Sequence, residues 1–317
     1  MLNTSQLLQA FFLLSAVTLL FINSIPAFRS RYIAYGSRAT PVLTTQTNRS
    51  SELDDKTMGK PDAKPSSINE QVLDGLATIQ VSHGYFQHFY IVSVLSSVFW
   101  GVQFVSKGSI LELICQSAGS NDPKKSMSID QIALTWTLMS IQGVRRLLES
   151  SLVAKSSASK MWFVHWLLGI AFYLAVSVSI WIEGAGAFLS TDSPFSSITW
   201  SAPSLKTMVA IPMFILASGV QHDCHAYLYS LPKYTLPVHS IFQVLVCPHY
   251  TAECLIYLSL AMISAPKGAI VNKTVFTALI FVATNLGVTA SMSKEWYERK
   301  FGKDAVARRW NMIPSLY

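Results

Sequence analysis

The chain has 317 residues, of which only 13% are charged, and its mean hydropathy is +0.37. Soluble globular chains carry about 25% charged residues. The composition therefore indicates an integral membrane protein, and its four scattered cysteines exclude a disulfide-stapled secreted domain. The net charge of +7 is typical of the cytosolic ends of membrane helices and requires no nucleic-acid partner.

Seven apolar stretches predict transmembrane helices, because a span needs about 20 mostly apolar residues. In chain order they are Ser5–Phe28, Ser82–Val105, Ile129–Val144, Met161–Ile182, Thr207–Tyr229, Gln243–Ile263 and Val271–Met292. We therefore predict an all-α integral membrane protein. Residues 1–28 form the first transmembrane helix, residues 29–81 a polar, disordered cytosolic loop, and residues 82–317 a six-helix core.

The distribution of basic residues predicts how these helices cross the membrane. With the N-terminus in the lumen, 18 Lys and Arg residues lie on the cytosolic side and six on the lumenal side. Because cytosolic segments carry the excess of basic residues, we predict a lumenal N-terminus and a cytosolic C-terminus. The stretch Arg38–Asn69 is rich in Ser, Thr, Asp, Lys and Pro, which is typical of disorder.

Ionisable residues inside membrane helices are costly and are therefore candidates for function. The third span ends with Gln142, Arg145, Arg146 and Glu149. One interpretation is structural: the arginines anchor the helix in the cytosolic leaflet, and Glu149 pairs with one of them at helical spacing. The other is that a guanidinium at the cytosolic mouth binds a phosphate or clamps a substrate head group.

The fifth span ends in a second polar group, Gln221–His225, and helical spacing puts Gln221 and His225 on one face. Its His, Asp and Cys side chains are types that bind zinc. No complete zinc-ligand signature is present, however, so we interpret this group as a polar helix end that binds a ligand.

The sixth span begins with Pro248, which suits the first turn of a helix. His249, Tyr250 and Glu253 follow at spacings that place all three on one side. A lone Glu253 in an apolar helix is hard to explain by packing, because an unpaired buried charge costs several kcal/mol. It persists more plausibly as a neutral acid or a hydrogen-bonded carboxylate.

The tail that follows the seventh span is basic and aromatic from Lys294 to Lys303, and Arg308 and Arg309 come later. It predicts either an amphipathic helix on an anionic membrane surface or a site for a phosphorylated dinucleotide. The apolar end, Met312–Tyr317, suggests that the tail packs back on the protein. Since no GxGxxG, Walker or HExxH motif is present, a nucleotide would bind within or beside the helices.

Several blocks together resemble the steroid 5-alpha-reductase family and, within it, the polyprenol (polyprenal) reductase branch. They are QHDCHAYLYSLPKYTLP, FQVLVCPHYTAECLIYLSLAM and SKEWYERKF…RRWNMIP, with RRLLES and FQHFYIVSV nearer the N-terminus. The resemblance spans Phe86 to Tyr317. It implies a seven-helix reductase of the endoplasmic reticulum membrane that binds NADPH from the cytosolic side. It also implies a role in dolichol synthesis for protein N-glycosylation.

The resemblance also implies roles for individual residues. It puts His249, Tyr250 and Glu253 near the nicotinamide, and we add Gln142 to these as the candidate catalytic set. The implied cofactor-binding residues are Gln221, Asp223, His225, Lys233, His249, Tyr297, Lys300, Arg308 and Arg309. The candidate residues for the substrate head group are Arg145, Arg146, Glu149 and His88. We predict no metal ligands. Lys233 stands where the family often has Arg, so either Lys233 replaces that Arg or the contact is absent.

Chemistry favours one substrate. Hydride attacks an alkene readily only when a conjugated carbonyl makes the β-carbon electrophilic, so we favour the unsaturated aldehyde polyprenal over the allylic alcohol polyprenol. The alternatives are a steroid 3-oxo-4-ene or enoyl-thioester reductase of the same superfamily, a membrane methyltransferase using S-adenosylmethionine, and a non-enzymatic scaffold or channel. The expected partners are a long-chain isoprenoid lipid and membrane lipid; the sequence indicates no nucleic acid and no obligate protein partner.

Overall fold

The computed structural model describes residues 2–33, 68–119, 122–152, 159–191, 198–199 and 202–317. The predicted disordered stretch Arg38–Asn69 lies almost wholly outside these residues. The α-helices that the structure describes are α1 (Thr4–Ser24), α2 (Pro26–Phe28), α3 (Ile68–Ala77), α4 (Gln87–Ser106), α5 (Ser109–Gln116), α6 (Ile129–Leu152), α7 (Phe163–Ser179), α8 (Ala185–Leu189), α9 (Leu205–Ser230), α10 (Ser240–Val244), α11 (Pro248–Ile263) and α12 (Lys273–Phe301). Two short strands, β1 (Gln80–Ser82) and β2 (Lys160–Trp162), pair antiparallel with Gln80 opposite Trp162.

Each predicted span is centred on one long described helix, in the order α1, α4, α6, α7, α9, α11 and α12, although some spans also include short neighbouring elements. Among the described residues, four helical segments are long and apolar enough to cross a membrane: Thr4–Ser24, His83–Ser106, Phe163–Leu189 and Lys273–Phe301. The structure is thus mostly helical with several membrane-spanning candidates. The count of seven spans and their orientation stay predictions.

Helix ends differ from the predicted span ends for local physical reasons. Helix α6 continues past Val144 to Leu152 because Arg145 and Glu149 form an ion pair one turn apart, at 2.6 Å. Helix α11 begins at Pro248, as predicted, since proline has no backbone N–H to satisfy in a first turn. The residues before it form the separate short helix α10.

The two ends of the predicted loop, residues 29–81, are folded where the structure describes them. Arg29–Ile33 form a π-helix, and Arg31 Nε lies 2.5 Å from the carboxylate of Asp74 in α3. The Tyr32 hydroxyl donates to the Leu73 carbonyl at 3.1 Å, and the Tyr32 ring lies 4.5 Å from the ring of Trp162. These contacts attach both ends to the helical core; the boundaries of the predicted domains stay untested.

The core is an aromatic and aliphatic cluster that ties the apolar helices together. Its largest fully buried members include Phe12 of α1, Phe104 of α4 and Trp181 between α7 and α8. Helices α9 and α11 pack along each other, and α12 packs along α1 and α11. This arrangement leaves a cavity at the end of the bundle where α4, α6, α9 and α11 bring their polar residues.

The C-terminal tail packs back on the protein, as the apolar end of the sequence suggests. The backbone N–H groups of Val246 and Cys247 donate to the carbonyls of Trp310 and Asn311 at 2.8 and 3.1 Å. Met312 is 2% exposed, and Thr251 in the first turn of α11 donates its hydroxyl to the Met312 carbonyl. The tail therefore lies beside the N-terminus of α11.

Candidate active site

A half-open cavity of about 190 Å³ lies between α4, α7, α11 and α12, and α1, α6 and α9 contribute one or two lining residues each. Its apolar lining residues are half aromatic and half aliphatic. They are Leu19, Phe86, Phe89, Leu168, Phe172, Phe281, Val282 and Leu286. Its polar lining residues are Tyr90, Arg146, His165, Tyr173, Gln221, His225, His249, Tyr250, Glu253, Tyr257 and Asn285. The cavity can therefore hold a ligand that has a polar head and an apolar body.

Helix α6 supplies a guanidinium to the polar wall. Arg146 Nη2 donates to the Tyr90 hydroxyl at 2.8 Å, and the guanidinium carbon lies 4.9 Å from the centre of the Tyr90 ring. Because arginine can only donate, the oxygen of Tyr90 is the acceptor in this bond. The hydroxyl proton of Tyr90 is thus left for another acceptor, and the residue lines the cavity.

A chain of amides connects α6 to Glu253. Gln142 Nε2 donates to Gln221 Oε1 at 2.9 Å, and Arg145 Nη2 donates to the same oxygen and to Gln142 Oε1. With its oxygen so occupied, Gln221 turns its amide nitrogen to Glu253 and donates to Oε2 of that carboxylate. The Glu253 carboxyl group is therefore hydrogen-bonded and not bare, as both states expected from the sequence require.

Glu149 lies among the arginine and histidine side chains that α6 and α9 bring together. Its side chain is 6% exposed and lies within hydrogen-bond distance of Arg145, Arg146, His222 and His225. Burial alone would raise the pKa of Glu149. The hydrogen-bond contacts with His225 and His222, together with the charges of Arg146 and Arg145, instead hold the pKa of this carboxyl well below its usual range.

His249 offers an unused polar atom at the cavity. It follows Pro248 in the first turn of α11, and its ring centre lies 4.3 Å from that of Tyr250 and 5.4 Å from that of His225. Its Nδ1 is buried and has no hydrogen-bond partner among the described residues. Since buried polar atoms are nearly always paired, this nitrogen fits a ligand group such as a carboxamide, as the predicted nicotinamide cofactor would supply.

The predicted phosphate-binding residues of the tail lie beside the loop between α9 and α10. Lys300 Nζ donates to the Tyr234 carbonyl at 2.9 Å, and Arg309 Nη1 donates to the Pro237 carbonyl at 2.8 Å. Arg308 and Lys233 are exposed, whereas Tyr297 packs against the cluster around Cys247 and Met312. The tail thus presents cations next to the helix that carries His249.

The structure brings some predicted residues to the cavity and not others. Gln221, His225, His249, Tyr250, Glu253 and Arg146 line the cavity. Gln142, Arg145 and Glu149 lie one hydrogen bond behind that lining, and Asp223 is exposed on α9. Among the described residues, no group of three or more His, Cys, Asp or Glu side chains is arranged to hold a metal ion.

His88 does not reach the cavity. Its ring stacks on that of Tyr85 at 4.6 Å and lies 6.1 Å from that of Trp166. Tyr90, two residues later, lines the cavity instead, because positions two apart on a helix point in nearly opposite directions. The sequence analysis missed Tyr90; helical spacing from Phe86, four residues earlier, was the signal that could have found it. It also missed the other polar lining residues, His165, Tyr173, Tyr257 and Asn285.

Comparison with known proteins shows which proteins the chain resembles. Residues 185–317 match the model of a family described as 3-oxo-5-alpha-steroid 4-dehydrogenase. The chain is 28% identical to polyprenal reductase 2 of Oryza sativa subsp. japonica, over 75% of this chain and 80% of the relative. It is 27% identical to polyprenal reductase of Saccharomyces cerevisiae, over 80% and 81% of the two chains. With polyprenal reductase of Homo sapiens the identity is 25%, over 68% and 72%. These matches confirm the predicted resemblance to the steroid 5-alpha-reductase family and its polyprenal reductase branch, and they indicate a reductase that acts on carbon–carbon double bonds.

Proposed function

We propose that this protein uses NADPH to reduce the α-isoprene double bond of polyprenal, a step of dolichol synthesis for protein N-glycosylation, in the endoplasmic reticulum membrane. The observation that carries the proposal is a single cavity whose lining combines the polar residues of α6, α9 and the start of α11 with aromatic and aliphatic side chains. An aldehyde head group suits the polar residues, and the first isoprene units suit the apolar side chains. The names of the relatives support the same substrate.

For this reaction the protein must hold the cofactor, stabilise negative charge on the aldehyde oxygen and allow a proton to reach the α-carbon. His249, Tyr250 and Glu253 line the cavity and would hold the nicotinamide of NADPH, and the bound cofactor would supply the hydride for the β-carbon of the enal. Its phosphates would contact Lys300, Arg308 and Arg309 of the tail, with Lys233 nearby. Negative charge develops on the aldehyde oxygen during the reduction, and a proton must then reach the α-carbon.

Tyr90 is the residue best placed to stabilise the charge on that oxygen. Its oxygen accepts a hydrogen bond from Arg146, so its own proton is free to be donated into the cavity. A donor fixed in advance stabilises charge as it develops in the transition state. The long isoprenoid chain would stay in the bilayer.

The experiment is reduction of polyprenal by the purified protein in detergent, with the product identified by mass spectrometry. Saturation of the α-isoprene double bond with NADPH, and slower reaction with NADH, is the expected result. A steroid 3-oxo-4-ene, an enoyl thioester and polyprenol are offered in parallel, and preferential turnover of any of them contradicts the proposed substrate. Thermal stabilisation by S-adenosylmethionine and not by NADPH would instead identify a methyltransferase.

A further inference from the structure

Glu149 has both carboxylate oxygens occupied and does not line the cavity. Oε1 lies 2.6 Å from Arg145 Nη1 and 2.7 Å from His222 Nδ1. Oε2 contacts Arg146 Nη1 and lies 3.0 Å from His225 Nδ1. A carboxylate whose oxygens are so filled has little capacity left to bind a substrate head group directly.

Two of these four partners, Arg146 and His225, line the cavity. Arg146 uses one terminal nitrogen for Glu149 and the other for the hydroxyl of Tyr90, which is a third lining residue. Glu149 therefore reaches the cavity only through other residues. It fixes two of them directly and Tyr90 through Arg146.

The carboxylates around Arg146 indicate how its guanidinium would move if Glu149 were absent. Among the described residues, Glu149 is the one carboxylate that forms ion pairs with Arg145 and Arg146. Glu253 lies on the same cavity lining as Arg146 and is held instead by the neutral amide of Gln221. Opposite charges in a poorly hydrated site attract strongly. Without Glu149, the guanidinium of Arg146 would be drawn toward Glu253 and away from Tyr90.

We propose that Glu149 is a positioning residue, which holds Arg146 against Tyr90 and apart from Glu253, and that it does not bind the substrate. This inference rests on the proposed reduction of polyprenal. It replaces the head-group role that the sequence suggested for Glu149 with an indirect one. It also explains why this carboxylate is buried on the side of Arg146 that faces α9.

The test is the steady-state kinetics of Glu149→Gln, which keeps the shape of the side chain but removes its charge and turns one acceptor into a donor. We expect kcat to fall on the order of 10²-fold, the effect of a catalytic donor displaced by about 1 Å. The KM values for NADPH and polyprenal should change little. Asp130→Asn is the matched control, since it removes a carboxylate at the other end of α6 that bonds Thr199; it should leave kcat unchanged.

Other outcomes overturn the inference. A raised KM for polyprenal with unchanged kcat would mean that Glu149 binds the head group. Wild-type kcat per folded molecule, with only a lower melting temperature, would mean that the role is purely structural. If Glu149→Gln does not fold, Glu149→Asp decides: it keeps the charge but is shorter, and normal melting with a reduced kcat supports positioning, whereas wild-type kcat contradicts it. An inactive wild-type protein would refute the proposed function instead.

Discussion

The orientation of one amide determines how Glu253 can act. Gln221 is 3% exposed, and its oxygen accepts hydrogen bonds from Gln142 and Arg145. Turning the amide over would place its NH₂ group against these two donors, which buried polar groups do not tolerate. Gln221 therefore presents a donor to Glu253, and this contact favours an orienting role for Glu253 over a proton-donating one.

We accordingly expect Glu253→Gln to keep catalysis within about tenfold of the wild type, because its amide oxygen can still accept from Gln221. Glu253→Ala should lose on the order of 10² in kcat, since the aligning contact is gone. Initial rates with polyprenal and NADPH measure both. A loss of about 10²–10⁴ in Glu253→Gln, typical of a missing general acid, would show that Glu253 supplies a proton. A wild-type rate in a folded Glu253→Ala variant would remove Glu253 from the site.

Arg308 is an exposed cation of the tail, whereas Arg309 is half-buried and donates to the Pro237 carbonyl. We expect Arg308→Ala to raise the KM for NADPH about tenfold and to leave that for NADH nearly unchanged. A hydrogen bond to a charged group contributes about 1.5–3 kcal/mol, and about 1.4 kcal/mol is tenfold in affinity. Lys303→Ala, an exposed cation of the same tail, is the control. An equal loss for both nucleotides would assign Arg308 to the membrane surface.

At the scale of helices, hydropathy predicted where the apolar elements lie but not where they end. Helix α12 continues beyond Met292 to Phe301 through a polar sequence, and a prediction from hydropathy alone ends before that sequence. The short strands β1 and β2 contain three residues each and lie far apart in the sequence, so no local sequence pattern predicts them. Their pairing depends on contacts that only the folded chain supplies.

The candidate site was predictable in part for the same reason. The spacing along α11 predicted that His249, Tyr250 and Glu253 share one side of the helix. In the structure all three line the same cavity. The sequence could not show that Gln142 meets Gln221, or that Arg146 meets Tyr90, because these pairs join different helices. Such contacts follow from how α4, α6 and α9 pack.

Asn272 joins α12 to the end of α11 and lies in a sequence that could accept an N-linked glycan. It is fully buried; its Oδ1 accepts from the Val275 N–H at 3.0 Å, and its Nδ2 donates to the Ser264 carbonyl at 3.2 Å. We expect Asn272→Ala to destabilise the protein by about 0.5–2 kcal/mol through the lost helix cap. Thermal melting in detergent measures this. Asn272→Asp keeps the cap acceptor and should melt between the two, and a glycan found on wild-type Asn272 would contradict its burial.

For the whole molecule, the testable property is orientation in the membrane. Lys303 and Lys267 are both exposed, and the predicted topology places them on opposite sides. In sealed microsomes we expect Lys303→Cys to react with an impermeant maleimide at once and Lys267→Cys only after the membrane is opened. The native cysteines are buried or half-buried and give a low background. Labelling of both sites before opening, or of Lys267→Cys alone, would refute seven spans with a cytosolic C-terminus.

The polar network has a consequence for how the chain enters the membrane during synthesis. Helices α6, α9 and α11 supply most of its residues, and none of the three is among the helices that qualify as independent spans. Polar groups without partners are costly inside a bilayer, and the partners of Gln142 and Gln221 lie 79 and 32 residues further along the chain. We therefore expect α6 to wait at the membrane interface until α9 and α11 have been synthesised. Because the site residues find their partners only when all three helices are present, we expect α6, α9 and α11 to insert into the membrane together.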